Sequence, residues 1–475
     1  MLTLIILFVY FVSFTDKPVQ GTPALSDRAV AQRTKWNIPT DELDYPVSAV
    51  YLDSLRSMGV NIHHTSRWFN GATCEMNASK ASLVAQLGFV SSVEMTRDNS
   101  APIYGPKRNK IRSEAISEAS IQPELWTDDQ LDLYNLLPLH NAGYEGQGIL
   151  MTVCDGGFYN AQTMSCFRQS TLELGHFDFT DDTDSFYGST GAHGTECLST
   201  ISGIVPNQFH GAATRAQYYL MRSEEDATES PKEMDNLVAA LEKSDSLGVN
   251  VFSVSLGYAY FDNDSWTLPK SALDGQTTRV SRAATIAARK GMLVCVAAGN
   301  EGNSEWKTIS VPADADSILT VGAVDIDGLI GSFSSYGPSA DQRIKPEVCA
   351  VGVQTTLIHP YGTIITSNGT SFATPLLAGL AASLWSALPD ENAMQIRERI
   401  IRSSDRYAFP DSTRYGYGIP NAWDAYTMDS PLSIEQTPAL PEQETPKKVL
   451  RGDQIYIIRH GHIYNLAGQM VYDKL

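Results

Sequence analysis

Asp155, His193, Asn300 and Ser371 are the side chains in this sequence whose types and contexts suit a single reaction, acyl transfer at a carbonyl. A hydroxyl nucleophile needs an imidazole to take its proton, and the imidazole needs a carboxylate to hold its tautomer. The tetrahedral oxyanion then needs fixed donors, which a helix N-terminus and a side-chain amide can supply. Asp155 follows the apolar run GILMTVC and precedes two glycines, so its carboxylate stands at a strand's carboxyl end with little bulk beside it. His193 lies in GAHGTECLSTISG, flanked by small residues, with Leu198, Ile201 and Ile204 at helical spacing beyond it. Asn300 ends MLVCVAAGN. Ser371, in NGTSFATPLLAGLAASLWSAL, opens a long Ala- and Leu-rich helix in which Pro375 is expected in the first turn, where its missing N–H costs little. Each residue taken alone has an ordinary alternative: Asp155 and Asn300 as turns, His193 as a core or surface histidine, Ser371 as a helix cap. Together, in the chain order Asp, His, Asn, Ser and each on an element end, they point to one crevice.

The elements that must position them follow from hydrophobic periodicity. Between residues 125 and 428, strand-like runs at 149–154, 249–256 and 292–298 alternate with helical patterns after His193, at 234–247 and at 280–290. That alternation predicts an α/β domain with a doubly wound, mostly parallel sheet, whose ligand crevice lies beyond the carboxyl ends of the strands. Upstream, residues 15–105 read as a small α+β domain with helices near 46–58 and 79–87 and a strand at 89–93. A basic stretch over 106–124, with Pro106, Lys107, Arg108, Lys110 and Arg112, reads as an exposed linker open to cleavage. Residues 429–448, rich in Pro, Glu and Thr, read as a second linker, and 449–475 as a short β-rich tail.

The first 14 residues contain LTLIILFVYFVSF, too short to span a bilayer and close in length to the apolar core of a signal peptide, so export is expected and a stable membrane span is not. The alternative is that Tyr10, Val12 and Phe14 belong to the first strand of the next domain. With 54 acidic against 35 basic residues, the formal charge of −19 argues against nucleic acid as a partner. The six cysteines form no CxxC pair, so no zinc or redox site is expected, and Cys154, Cys295 and Cys349 lie in apolar runs as core thiols, with disulfides left open.

GTSFATP, HGTEC, DGGF and AAGNEG, in this order, resemble the subtilisin-like serine peptidases, the subtilase family. The likeness extends over residues 125–428 through SVSLG, PADADSILTVGAVD and FSSYGPSADQRIKPEV. It implies a serine endopeptidase with polypeptide substrates, in which Asp155, His193 and Ser371 form the triad and Asn300 serves the oxyanion hole. It also implies that Ser255, Leu256 and Gly257 pair with an extended substrate, and that Ala297, Ala298 and Gly299 wall the first specificity pocket. FTDK and SRWFN resemble the inhibitory propeptide of exported bacterial members, so the chain's own propeptide is an expected intramolecular inhibitor. YNLAGQMV is similar to the ends of proteins from the same bacterial group, some of which carry secretion sorting tails.

No cofactor is expected. Calcium commonly supports this family, but Asp178, Asp181, Asp182 and Asp184 lack the spacing of an EF-hand loop and read as a solvated acidic turn, so no metal site is assigned. A catalytically silent, peptide-binding relative is the rival reading. A lipase or esterase would need G-x-S-x-G and a different triad order.

Overall fold

The computed structural model describes residues 6–19, 21–99, 114–116, 127–168, 173–180, 186–188, 191–225, 228–430, 447–451, 454–459, 462–464 and 470–472. The N-terminal part is a four-stranded antiparallel sheet in the order β2-β3-β1-β4, built from β1 (Phe8–Phe14), β2 (Asn61–Ser66), β3 (Gly71–Met76) and β4 (Val90–Asp98). Helices α1 (Asp27–Lys35), α2 (Ala49–Ser57) and α3 (Ala78–Val84) accompany it. Tyr10, Val12 and Phe14 pack into a core with Leu52, Leu55 and Val84 of α2 and α3. The opposite face carries Phe11, whose ring lies 4.2 Å beneath the Arg279 guanidinium.

Phe8–Phe14 is therefore a strand covered on both faces, the alternative reading of this stretch, and residues 1–5 lie outside the described residues. A central strand buried on both sides needs apolar residues at every position, which erases the alternation that usually marks a strand and imitates the apolar core of a signal peptide. The short strand β5 (Glu114–Ile116) lies within the segment expected as a bare linker. The rest of the 106–124 segment lies outside the described residues.

The large domain has a seven-stranded, wholly parallel sheet in the order β12-β11-β10-β9-β6-β8-β7. Its strands are β6 (Leu150–Asp155), β7 (Glu173–Asp178), β8 (Gln217–Arg222), β9 (Val251–Val254), β10 (Leu293–Ala297), β11 (Leu319–Val324) and β12 (Val348–Val351). The five from β6 and β9 to β12 are buried at every residue, while the edge strand β7 alternates between exposed and half-buried positions. That contrast is what two covered faces at the centre and one bare edge require. Helices α4 (Ala192–Ser202) and α7 (Thr370–Ala387) pack on one face, and α5 (Pro231–Leu247) and α6 (Arg279–Arg289) on the other. The chain lays β7 and β8 to one side of β6 and β9 to β12 to the other, so the carboxyl ends of β6 and β9 flank the switch point where such sheets bind ligands. A hairpin of β13 (Thr355–Ile358) and β14 (Ile364–Asn368) precedes α7.

The small domain docks on α5 and α6 through an apolar contact, in which Trp68 joins Leu237, Leu241 and Val280 in one core, and through buried charge. Arg33 bridges Asp44 and Asp245 at 2.6 and 2.7 Å, and Arg67 reaches Asp245 at 2.6 Å while its backbone N–H donates to Glu242. Lys290 pairs with Asp41 and Asp44, and Arg279 with Glu94 and Asp235. Residues 429–475 form a separate unit, whose described strands β15 (Lys447–Arg451), β16 (Gln454–Arg459), β17 (His462–Tyr464) and β18 (Met470–Tyr472) run antiparallel in sequence order. Among the described residues no helix is long and apolar enough to cross a membrane.

Asp245 is buried and accepts from two arginines of the small domain, so removing its carboxylate leaves Arg33 with Asp44 alone and Arg67 with Glu242 and the Ser246 hydroxyl, in a buried site. Asp245→Ala in the full chain is expected to lower unfolding free energy by about 3 kcal/mol, read by chemical denaturation. A loss of under about 0.5 kcal/mol, the range of ordinary surface changes, would contradict a structural role for this network.

Candidate active site

Asp155 is the last residue of β6 and is 2% exposed. Its Oδ1 accepts the Gly156 N–H at 2.8 Å, and its two oxygens lie 2.9 and 3.0 Å from Nδ1 of His193. His193 is the second residue of α4. The close approach depends on missing side chains, since a Cβ at Gly194 would lie 2.2 Å from the Gly157 carbonyl and 2.9 Å from Asp155 Cβ. Burial disfavours the charged imidazole, but the Asp155 carboxylate outweighs it and holds the His193 pKa well above the ordinary 6.5. With Nδ1 facing the carboxylate, Nε2 is left for a proton-transfer partner.

Ser371 is the second residue of α7 and is fully buried, and its hydroxyl makes no hydrogen bond in this structure. A Cβ on Gly369 would stand 2.6 Å from that oxygen and 3.5 Å from Nδ2 of Asn300, so the hydroxyl and the amide border the same small space, which glycine keeps open. Asn300 is oriented by its other end: Oδ1 accepts from both N–H and hydroxyl of Thr370 at 2.9 Å. Its Nδ2 is thereby turned away from Thr370. The Ser371 N–H belongs to the first turn of α7, where no helical acceptor exists. An N–H and an amide N–H₂ beside one hydroxyl can stabilise an oxyanion formed there.

Pro375 stands in the second turn of α7, not the first, because the helix begins at Thr370. Proline there removes the N–H that would have bonded the carbonyl four residues back, which is that of Ser371. That carbonyl is satisfied from outside the helix, by the Ser255 hydroxyl at 2.7 Å and the Cys197 thiol at 3.3 Å. Cys197 lies one turn after His193, with Sγ 3.8 and 3.9 Å from the two ring nitrogens, and the Phe372 ring packs on the imidazole at 5.4 Å.

The expected site residues thus divide. Asp155 and His193 meet directly, and Ser371 joins them through Cys197 and Phe372. Asn300 adjoins Ser371. Ser255 is buried, with its hydroxyl committed to the Ser371 carbonyl, while Leu256 and Gly257 are half-exposed beyond the end of β9. Ala297 and Ala298 are fully buried, and the Gly299 N–H donates to the Thr370 hydroxyl. Gly299 has φ +108°, and a Cβ there would lie 2.8 Å from the Ser335 hydroxyl, so only glycine fits.

Cys197 was not singled out in the sequence, although its i+4 spacing from His193 places it on the same helix face. Glu196 was missed as well. It is 6% exposed, and burial, opposed by His193 and reinforced by Asp155, pushes its pKa up to about 7. All six cysteines are free and buried, and burial raises the Cys197 thiol to about 11.

Two groups of described residues have ligand-type atoms close enough to share a cation: Asp155, His193 and Cys197, and the buried Glu224, Glu229 and Glu233. Of the acidic turn, Asp178 accepts from the backbone and hydroxyl of Thr180, and Asp181, Asp182 and Asp184 lie outside the described residues.

Residues 146–418 match the family model for the subtilase family, and residues 9–114 match that for the peptidase S8 propeptide domain of Bacteroidota. Subtilisin DY of Bacillus licheniformis is 30% identical over 59% of this chain and 91% of its own length. The serine protease AprX of Bacillus subtilis (strain 168) is 27% identical over 58% of this chain and 66% of its own length. The crystal structure of MycP1 from the ESX-1 type VII secretion system superposes with a TM-score of 0.54 at 21% identity, covering 69% of this chain and 92% of that one, a likeness of fold.

Ser255→Ala removes the shorter of the two bonds to the buried Ser371 carbonyl, at an expected cost of about 2 kcal/mol in denaturant unfolding. Wild-type stability in this variant would show that Cys197 alone satisfies that carbonyl.

Proposed function

Because the chain belongs to the subtilase family of serine endopeptidases and carries an N-terminal propeptide domain, we propose that Asp155, His193 and Ser371 are its catalytic triad and Asn300 its side-chain oxyanion donor. The observation that carries this reading is the buried bond between Asp155 and Nδ1 of His193, on a sheet end where Ser371 leaves its hydroxyl unbonded. Nε2 of His193 takes the Ser371 proton as Oγ attacks a peptide carbonyl. The oxyanion is held by the Ser371 N–H and Nδ2 of Asn300. The imidazolium, stabilised by Asp155, then protonates the leaving amine, and water entering by the reverse steps hydrolyses the acyl-enzyme. These steps use side chains, backbone and water, with no cofactor.

Leu256 and Gly257 run along the acyl side of the bound substrate, with Ser255 anchoring that segment to Ser371, and Ala297 to Gly299 wall the first pocket. The propeptide domain acts as an intramolecular inhibitor until the linker is cut. We propose export as its setting, with an excess of negative charge suited to solution rather than to nucleic acid.

Ser371→Ala is expected to abolish both peptide hydrolysis and fluorophosphonate labelling, and unchanged hydrolysis would remove this reading. Asn300→Ala should lower kcat about 10²- to 10³-fold with KM nearly unchanged, a range established on subtilisin itself and not from this geometry. The pH dependence has a sign. Because the folded pKa of His193 is raised, its contribution to stability is complete below 6.5 and fades as pH rises through the folded value. Activity runs the other way, since the base must be neutral. The ascending limb of kcat/KM is therefore expected on the alkaline side of 6.5, and a limb below it would contradict the Asp155 contact.

A further inference from the structure

The hydrophobic core of the propeptide domain is built from its sheet, α2, α3 and their neighbours, and among the described residues none between 15 and 46 belongs to it. That stretch carries α1 and is spent largely on the peptidase domain. Leu43 packs against the core beneath α5 and α6. The N–H of Ser26, the cap residue of α1, donates to the Ser246 carbonyl at 2.8 Å. The Arg28 guanidinium donates to the carbonyls of Gly248 and Gly148 at 3.1 and 3.2 Å and to Oδ1 of Asn250 at 2.7 Å. Gln32 reaches the Gly291 carbonyl at 3.4 Å, and Lys35 the Pro389 carbonyl at 2.6 Å. Gly148, Asn250 and Gly291 come just before β6, β9 and β10, so α1 lies across the amino ends of three neighbouring strands, the end of the sheet opposite to Asp155.

The peptidase domain is shaped to admit this helix. Gly248 closes α5 with φ +74°, and a Cβ there would lie 2.7 Å from the Ala29 nitrogen. A Cβ on Gly291, at φ +98°, would lie 2.7 Å from Cδ1 of Ile38. Ala29, the residue of α1 turned onto this seat, is small and 2% exposed. A second hold stands at the other end of the sheet, where Arg97 of β4 pairs with Glu225, three residues beyond β8. Two holds carried by one folded domain support each other, because whichever opens is kept close by the one still closed. A cut in the linker removes the covalent tie and leaves both holds in place.

We propose that the seat formed by Gly148, Gly248, Asn250 and Gly291 is a docking site for the basic helix α1, and that this strap, remote from the triad, slows departure of the propeptide domain once the linker is cut. Linker cleavage permits release, and the strap paces it. Arg28 reaches three acceptors with one planar fork, which a lysine ammonium cannot span, so the seat reads an arginine rather than a positive charge.

The test uses the full chain carrying Ser371→Ala, so that release is read without any contribution from the triad. Trypsin opens the linker at Lys107, Arg108, Lys110 or Arg112 and is quenched, intact mass confirms the cut, and gel filtration after dilution follows the small domain leaving the peptidase domain. Release is expected about tenfold faster with Arg28→Ala and at least about fivefold faster with Arg28→Lys. It is expected to be unchanged with Arg56→Ala, which removes the same charge from an exposed pair within α2. Unchanged release with Arg28→Ala overturns the seat. Equal acceleration by Arg56→Ala overturns it too, because general attraction between a basic and an acidic domain would then account for the hold. In the chain with Ser371 intact, hydrolysis of a peptide aminocoumarin is expected to lag linker cleavage, with the lag about tenfold shorter in Arg28→Ala. Hydrolysis that rises in step with cleavage overturns the strap as the pacing element. A chain that neither hydrolyses this substrate nor takes a fluorophosphonate label fails at the triad, while release from the Ser371→Ala chain still decides the strap.

Discussion

The carbonyl of Ser371 is the point on which the site turns. Pro375 deprives it of its helical partner, and the groups that replace that partner come from two other elements. Ser255 reaches it from the end of β9, and Cys197 from the face of α4 that also carries His193. The first turn of α7 is thereby pinned to the sheet on one side and to the histidine helix on the other. Asn300 adds a third tie through Thr370. A buried carbonyl left without a donor costs about 1–3 kcal/mol, so the arrangement resists slippage of any one element. The absent backbone bond thus serves to fix a hydroxyl, a ring and an amide relative to one another.

The two interfaces of β1 show how one strand can serve both a core and a contact. Toward α2 and α3 it presents Tyr10, Val12 and Phe14, which give the propeptide domain its own hydrophobic core. Toward the peptidase domain the contact shifts to guanidinium over ring and to buried ion pairs around Asp245, Glu242 and Asp44. Buried ion pairs add little net stability, because desolvation offsets their attraction, but they penalise misplacement heavily. Trp68, buried among α5 and α6 residues, adds the apolar part of the contact. Such a contact fixes the domain in one register.

Much of this was legible in the sequence, and the parts that were not share a cause. The buried strands β6, β9 and β10 and the helices α5 and α6 announce themselves by runs and periodicity, and Asp155, His193, Asn300 and Ser371 by their positions at the ends of such runs. β1 misled because two-sided burial removes alternation, and nothing local says what will cover the second face. Pro375 misled because the helix start depends on where Asn300 and Gly369 hold the chain. Cys197 carries no signal of its own in the sequence, since its role arises only when α7 comes alongside α4. β5 was invisible because a three-residue strand has no period, and its partner lies some 250 residues away in the chain. What sequence withholds in each case is the identity of the neighbour.

The electrostatics of the site follow from the same crowding. Asp155 and Glu196 are both buried, and the His193 ring acts on both, while Nε2 of His359 lies 3.9 Å from Oε1 of Glu196. The ring makes its hydrogen bonds with Asp155, which claims the charge. Glu196 is left with the cost of burial and the repulsion of Asp155, only partly offset by His193, and so keeps its proton up to about pH 7. A carboxyl whose folded pKa lies above 4.5 binds a proton more readily folded than unfolded, so its contribution falls as pH rises from 4.5 to about 7. The two carboxyls thus divide their roles: Asp155 holds the ring, and Glu196 tends to keep its proton on the acid side of neutrality. The His193 pKa is raised as well, so the ring that must take the Ser371 proton becomes neutral only on the alkaline side of 6.5, where Glu196 also gives up its proton.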